Sequence, residues 1–145
     1  MVIDHLGIVV KSIEKSIEYW EKVFGYRQMT EIVINTCQKV KVVFLTKENS
    51  LIVKLIEPTD ETSPVYRIAR KGGGLHHLGF RCKDINEEIK RLKGLGLRVI
   101  TNPQPGEAFE NNHIAFLLGN QSLNIELIDT DKKARKIVSR EEQSF

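Results

Sequence analysis

Apolar positions along the chain change period twice, in the same order both times. Residues 3–10 are dense in apolar and β-branched side chains and read as a strand, after which Ile13, Ile17, Trp20 and Phe24 recur at helical spacing until Gly25 supplies a stop. Runs at about 28–34, 39–46 and 50–57 then read as strands. The succession returns from Leu75. A strand is followed by a helix with Asp84 as N-cap, Glu87 completing a capping box, a stripe of Ile85, Ile89 and Leu92, and an end at Gly94 or Gly96; strands follow at about 97–101, 113–118 and 123–129. The pattern is βαβββ, twice.

Sequence self-similarity supports the same division. At an offset of 72, IDHLGIVVKSIEKSI from Ile3 lies over LHHLGFRCKDINEEI from Leu75, and VFLTKENSLIVKLI from Val43 lies over AFLLGNQSLNIELI from Ala115 without a gap. Two distant stretches sharing one offset mark a copied structural unit. Each copy is too small to bury a sizeable core alone. The expectation is therefore one α+β domain over residues 1–130, with modules at 2–57 and 75–129 and a charged tail at 131–145 read as a frayed, solvated helix end. A linker helix at about 63–72 is expected to start at Ser63 and Pro64 and to leave through Gly72–Gly74.

Side chains of a strand alternate between faces, so positions sort by parity. One parity collects Leu6, Ile8, Val10, Val42, Phe44, Val53, Leu55, Leu78, Phe80, Cys82, Ile114, Phe116, Ile125 and Leu127, the apolar set needed beneath two helices. The other carries His5, Gly7, Lys41, Lys54, His77, Gly79, Arg81, His113, Asn124 and Glu126. A solvated face would show interchangeable Lys, Glu and Thr. Two Gly and two His at repeat-equivalent positions suggest instead a lined concavity. Within it His5, His77 and Glu126 make a ligand set for a divalent ion such as Zn²⁺, Fe²⁺, Co²⁺ or Ni²⁺, with positions left open for water or substrate. By the same alternation His76 points away from His77 and should pack or cap.

Composition narrows the partners. With 41% hydrophobic and 28% charged residues the chain is an ordinary globular one. Its net charge of +3 resides largely in the last fifteen residues, so no basic stripe offers itself to a nucleic-acid backbone. Two cysteines, Cys37 and Cys82, are too few for a disulfide framework and read as buried free thiols. No basic leader or long apolar window occurs, which points to a soluble, cytoplasmic protein without a membrane partner.

The DHLGIVV opening, the SPVYRIARKGGGLHHLGF linker and strand, and the closing IAFLLGNQSLNIELID resemble the vicinal oxygen chelate (glyoxalase/dioxygenase) superfamily, most closely its methylmalonyl-CoA epimerases, over about residues 2–130. The resemblance implies two βαβββ modules forming an open, cup-shaped mixed β-sheet barrel with helices outside. It also implies one divalent metal ion (Zn, Co, Ni, Mn or Fe) on His5, His77 and Glu126, a homodimer, and an acyl-CoA thioester epimerised through a metal-stabilised enolate. The fourth ligand of the epimerase and glyoxalase I groups does not match. Its place, four residues before Pro58, is held by Lys54, and the family's Gly-rich turn reads QPGEAFENN (Gln104–Asn112) here.

An ammonium has no lone pair. Water can stand in for the missing ligand, Lys54 can lose its proton and act as a base, or it can stay charged and hold a substrate carboxylate, the reading preferred from sequence. Epimerisation needs a base on each face of the carbon; Glu126 matches one, and Lys41 and His113, repeat equivalents, are candidates to flank the other. Arg81 is a candidate for a phosphate or carboxylate of the substrate, or for a salt bridge. Other members of the superfamily set the alternatives: a glyoxalase-type lyase, a two-His-one-Glu dioxygenase, or a non-catalytic drug-binding protein.

Overall fold

In the computed structural model, which describes residues 1–138, a single mixed sheet carries both modules. The first supplies β1 (Val2–Val9), α1 (Ile13–Phe24), β2 (Arg27–Gln28), β3 (Val33–Asn35), β4 (Val40–Thr46) and β5 (Ile52–Pro58). After α2 (Tyr66–Arg70) the second supplies β6 (Gly74–Arg81), α3 (Ile85–Gly94), β7 (Arg98–Gly106), β8 (Asn112–Leu118) and β9 (Asn124–Ile128). The strands follow the order β2-β4-β5-β1-β6-β9-β8-β7, with β3 also paired to β4. β1 meets β6 antiparallel at the seam, and each is flanked by a parallel last strand of its own module, β5 and β9. This is the open α+β sheet expected from the repeat.

The helices form where the sequence places caps. Ser12 accepts from the Lys15 N–H and Gly25, at φ 71, closes α1 in the left-handed conformation; Asp84 accepts from the Glu87 N–H and starts α3. Ile13 and Ile17 of α1 cluster with Val10, Val43, Leu45, Val53 and Leu55, and Ile85 and Leu92 of α3 cluster with Cys82, Ala115, Leu117, Ile125 and Leu127. A third cluster, including Val42, Phe44, Ile56, Phe109, Ile114 and Ile128, fills the inner side. It joins both modules because the Ala108 N–H of the second donates to Asn35 Oδ1 of the first at 2.7 Å, drawing the ends of the sheet together.

Several expectations are corrected. On β4 and β8 the faces are reversed: Val43, Leu45, Ala115 and Leu117 lie under the helices, while Val42, Phe44, Ile114 and Phe116 face inward. Both strands are apolar on both sides, so alternation alone does not fix their phase. The run 28–34 splits into β2 and β3, because Met29 and Thr30 both give their N–H to the Phe44 carbonyl and the Thr30 hydroxyl turns inward to accept from the Phe44 N–H. The linker helix is short and is preceded by Val65, with Ser63 in the turn before it. Cys37 is exposed.

The tail differs most. Residues 131–138 are not helical. The Ala134 N–H donates to the Ala108 carbonyl, the Ile137 N–H to Met29, and the Glu31 N–H to Arg135, so the segment is strapped across both modules. Residues 139–145 lie outside the described part of the chain. No helix among the described residues is long and apolar enough to cross a membrane.

Candidate metal centre

Strand register brings four side chains from the four central strands to one place. His5 on β1 lies opposite Gly79 on β6, and His77 opposite Gly7; β5 sets Lys54 beside Gly7, and β9 sets Glu126 beside Gly79. The glycines are a steric requirement of the rings. A Cβ at Gly7 would stand 2.2 Å from Cε1 of His77, and one at Gly79 would stand 2.1 Å from Cε1 of His5. All four polar residues are buried, none more than 2% exposed.

Their donor atoms converge. His5 Nε2 is 2.9 Å from Glu126 Oε1 and 3.1 Å from His77 Nε2, which is itself 3.3 Å from Glu126 Oε1. Ligand atoms at about 2.1 Å from a common ion stand about 3.0 Å apart at right angles and about 3.4 Å apart at tetrahedral angles, so the triangle has the size of three neighbouring ligands. Two imidazoles and a carboxylate fit a divalent transition metal by chemistry as well as by spacing. Lys54 does not complete the set: its Nζ donates to both oxygens of Glu126, at 3.1 and 3.2 Å, and stands 5.1 Å from the centre of the Phe109 ring.

A second layer orients the histidines. Relative to its partner, β1 carries one extra residue at Asp4 and β6 one extra residue at His76. Such bulges re-aim side chains beside functional sites. Asp4 and His76 are themselves repeat equivalents, and each turns onto Nδ1 of the following histidine. Asp4 Oδ2 accepts from His5 Nδ1 at 2.7 Å, and His76 Nδ1 lies 2.8 Å from His77 Nδ1. With Nδ1–H of His5 committed to a carboxylate, Nε2 is presented to the cluster. The other oxygen of Asp4 accepts from Lys133 Nζ at 3.0 Å. Lys133, buried at the strapped tail, sits over the rings of Phe44 and Phe109 at 5.3 and 5.4 Å. Arg81, half-exposed, reaches the same carboxylate at 3.8 Å.

Proton affinities follow. Burial alone would raise the Glu126 carboxyl, but the Lys54 ammonium and the imidazoles of His77 and His5 outweigh it and hold it well below the usual range. Burial pushes His77 down to about 3, which leaves its imidazole neutral. Burial would raise Asp4 too; the hydrogen bond from His5 and the charge of Lys133 hold it low. Burial and then the Lys54 charge lower His76.

Lys41 and His113 do not join the centre. Lys41 Nζ pairs with Glu57 at 3.2 Å, and Glu57 also caps the Ile13 N–H at the start of α1; His113 shares the outward face of Ala115 and Leu117. Both errors come from the reversed phase of β4 and β8. His76, expected to point away, is brought to the centre by its bulge. A cavity of about 30 Å³, room for roughly one water, lies against the cluster and includes Asn35, Lys54, His76, His77 and Glu126 in its lining. It shares Gln38, Pro64, Val65, His76 and Phe116 with a neighbouring cavity of about 120 Å³ that reaches Ile100, Thr101 and Asn124. Sequence reasoning missed Asp4, Asn35 and Lys133. The Asp-His and His-His pairs at offset 72 carried a signal for Asp4; Asn35 and Lys133 had none.

The chain is similar to known proteins in sequence and in fold. Residues 4–116 match the Glyoxalase/Bleomycin resistance protein/Dioxygenase superfamily. The chain is 33% identical over 116 residues to the uncharacterized protein YqjC of Bacillus subtilis, covering 79% of this chain and 81% of that protein. It is 27% identical over 117 residues to the ethylmalonyl-CoA/methylmalonyl-CoA epimerase of Cereibacter sphaeroides, covering 79% and 86%. Among solved structures, methylmalonyl-CoA epimerase from Mycobacterium tuberculosis superposes with a TM-score of 0.77 at 26% identity, over 88% of this chain and 86% of that one. A Streptomyces coelicolor methylmalonyl-CoA epimerase in complex with 2-nitronate-propionyl-CoA does so with a TM-score of 0.77 at 26% identity, over 88% and 96%.

Proposed function

The chain belongs to the glyoxalase/bleomycin resistance protein/dioxygenase superfamily, and we propose that it is an epimerase of a malonyl-type acyl-CoA thioester such as methylmalonyl-CoA, using one divalent metal ion held by His5, His77 and Glu126. The buried triangle of donor atoms at the seam between the modules carries the reading. The names of its relatives supply the substrate class. Such an ion, held by these three residues, would supply Lewis acidity toward the thioester carbonyl.

The protein's own groups have separate tasks. Glu126, held ionised, is a ligand. Asp4 and Lys133 hold the His5 ring from behind. Lys54 on β5 and His76 on β6 stand on strands either side of β1, and both face the cavity. They are the proton carriers: the His76 imidazole takes the C2 proton from one side of the carbon, and the Lys54 ammonium returns one from the other. That turnover leaves His76 as imidazolium and Lys54 as a neutral amine, and from that state Lys54 takes the C2 proton of the opposite epimer while His76 returns one, which restores the starting state.

Incubating the metal-loaded protein with methylmalonyl-CoA in deuterated water tests this, read by mass spectrometry as deuterium wash-in at C2. Failure to exchange with every 2-substituted malonyl thioester in the presence of Zn²⁺ or Co²⁺ would overturn it. One observation favours a second reading. With Lys54 unable to ligate, two His and one Glu form the facial triad of non-haem Fe²⁺ oxygenases. Catechol-dependent oxygen uptake with Fe²⁺, without wash-in, would support that reading instead.

A further inference from the structure

We propose that Asn35 anchors the free carboxylate of the substrate and makes the site selective for carboxylated over plain acyl thioesters, an inference that rests on the acyl-CoA reading above. Asn35 is the last residue of β3 and is 3% exposed. Its amide orientation is fixed by a partner in the other module: Oδ1 accepts from the Ala108 N–H at 2.7 Å, so the acceptor end is committed and the NH₂ end faces elsewhere. That Nδ2 is buried without a hydrogen-bond partner among the described residues, and no other buried side-chain nitrogen or oxygen there shares its condition. Native proteins leave few such groups unpaired, and an unpaired one calls for an explanation.

The surroundings state what the donor awaits. Asn35 lines the cavity at the centre together with Lys54, His76, His77 and Glu126. Glu126, the carboxylate there, already accepts from Lys54 and is ringed by both histidines, and it makes no hydrogen bond to Asn35. Apart from Gln38, the rest of the wall is apolar, with Val40, Ile56, Val65 and Phe116. A fixed N–H donor in a wall shared with an ammonium fits an anionic oxygen, and the apolar side chains there fit a short alkyl substituent. A thioester with a carboxylate and an alkyl group on C2 presents both. A plain acyl thioester leaves the donor unpaired, which is the situation that discriminates most strongly in binding sites.

Two substitutions and two ligands separate this role from a structural one. Asn35→Asp keeps an oxygen for the Ala108 N–H but replaces the donor with an anion; Asn35→Leu removes both. Binding to the full-length, metal-loaded protein is measured by equilibrium dialysis with methylmalonyl-CoA and with propionyl-CoA, which has the same thioester and methyl group but no carboxylate. The expected result for both variants is a Kd for methylmalonyl-CoA raised about tenfold to hundredfold, with that for propionyl-CoA within about twofold of wild type. Equal losses for both ligands, or no loss for methylmalonyl-CoA, would overturn the assignment. If Asn35→Leu does not fold, Asn35→Asp decides alone. Wild-type binding without wash-in sinks epimerisation and leaves the Asn35 comparison decisive; wild-type protein that binds neither ligand sinks both.

Discussion

Alanine at Gly7 tests whether the seam of the sheet holds His77 where the centre needs it. The added Cβ would lie 2.2 Å from Cε1 of the ring, whereas ordinary contact begins at 3.4 Å, so the two must part by about 1.2 Å. The ring has little room to retreat, packed edge-on against His5 at 5.3 Å and Phe116 at 5.5 Å between centroids. The displacement therefore passes to Nε2 or to the β1–β6 pairing. Overpacking of this kind costs about 1–3 kcal/mol, or roughly 3–10 °C in Tm for a chain of this size. A shift of about 1 Å in a reacting group is enough to lower activity on the order of 100-fold. The assays are Zn²⁺ competition against a chromophoric chelator, differential scanning calorimetry and deuterium wash-in, with Gly94→Ala as control. At Gly94 an added Cβ meets nothing within 4 Å, and helix propensity makes that variant neutral or slightly more stable. Gly79→Ala, at 2.1 Å from His5, should behave like Gly7→Ala. If Gly7→Ala binds Zn²⁺ within threefold of wild type and keeps its wash-in rate, the close ring packing does not control the centre.

Three further outcomes follow from the charges. Lys54→Met strands the buried Glu126 carboxylate, so the metal-free protein should lose about 3–5 kcal/mol in urea unfolding while binding Zn²⁺ more tightly than wild type; unchanged stability or weaker binding would refute the ion pair as drawn. The metal-free protein should lose stability as pH falls from about 6.5 toward 3, because unfolded chains protonate His77 while the folded state, with its imidazole lowered to about 3, does not; Asp4 and Glu126, both held low, add to the loss below about pH 4 as the unfolded chain takes up their protons. A flat urea midpoint between pH 7 and 5 would contradict this. Lys133→Met should weaken Zn²⁺ binding about tenfold and have no further effect in an Asp4→Asn background, since it acts through that carboxylate; additive losses in the double mutant would mean that the tail merely braces the barrel.

What could be read from sequence was what the duplication repeats. Equivalence at offset 72 paired His5 with His77 and Gly7 with Gly79, and the structure joins them crosswise, each ring over the other module's glycine. Alternation placed Lys54 and Glu126 correctly because β5 and β9 have polar residues at those points to set the phase. It failed on β4 and β8, where VKVVFL and HIAFLL are apolar on both faces, and Lys41 and His113 were carried to the wrong side with them. It failed again at Asp4 and His76, because a bulge interrupts the period of two on which the argument depends. Asn35 and Lys133 lay beyond any periodic argument. Each owes its place to contacts between the two modules or with the tail, made far apart in sequence.

The substitution that breaks the internal symmetry also explains how such a centre can be folded before it is loaded. Identical carboxylates at positions 54 and 126 would place two like charges in one buried site, a repulsion that only a cation relieves. Lys54 opposite Glu126 removes it from within, and Lys133 does the same for Asp4, so these four charges sum to zero in the metal-free protein. A divalent ion would then enter as two uncompensated charges in a buried site, where Coulombic terms weigh far more than at the surface. The ligand that best restores neutrality is an anion. A thioester carrying a C2 carboxylate and developing negative charge on its carbonyl oxygen supplies two negative charges where a plain acyl thioester supplies one, so the charge arrangement at the centre and the unpaired donor on Asn35 favour the same class of substrate through independent groups.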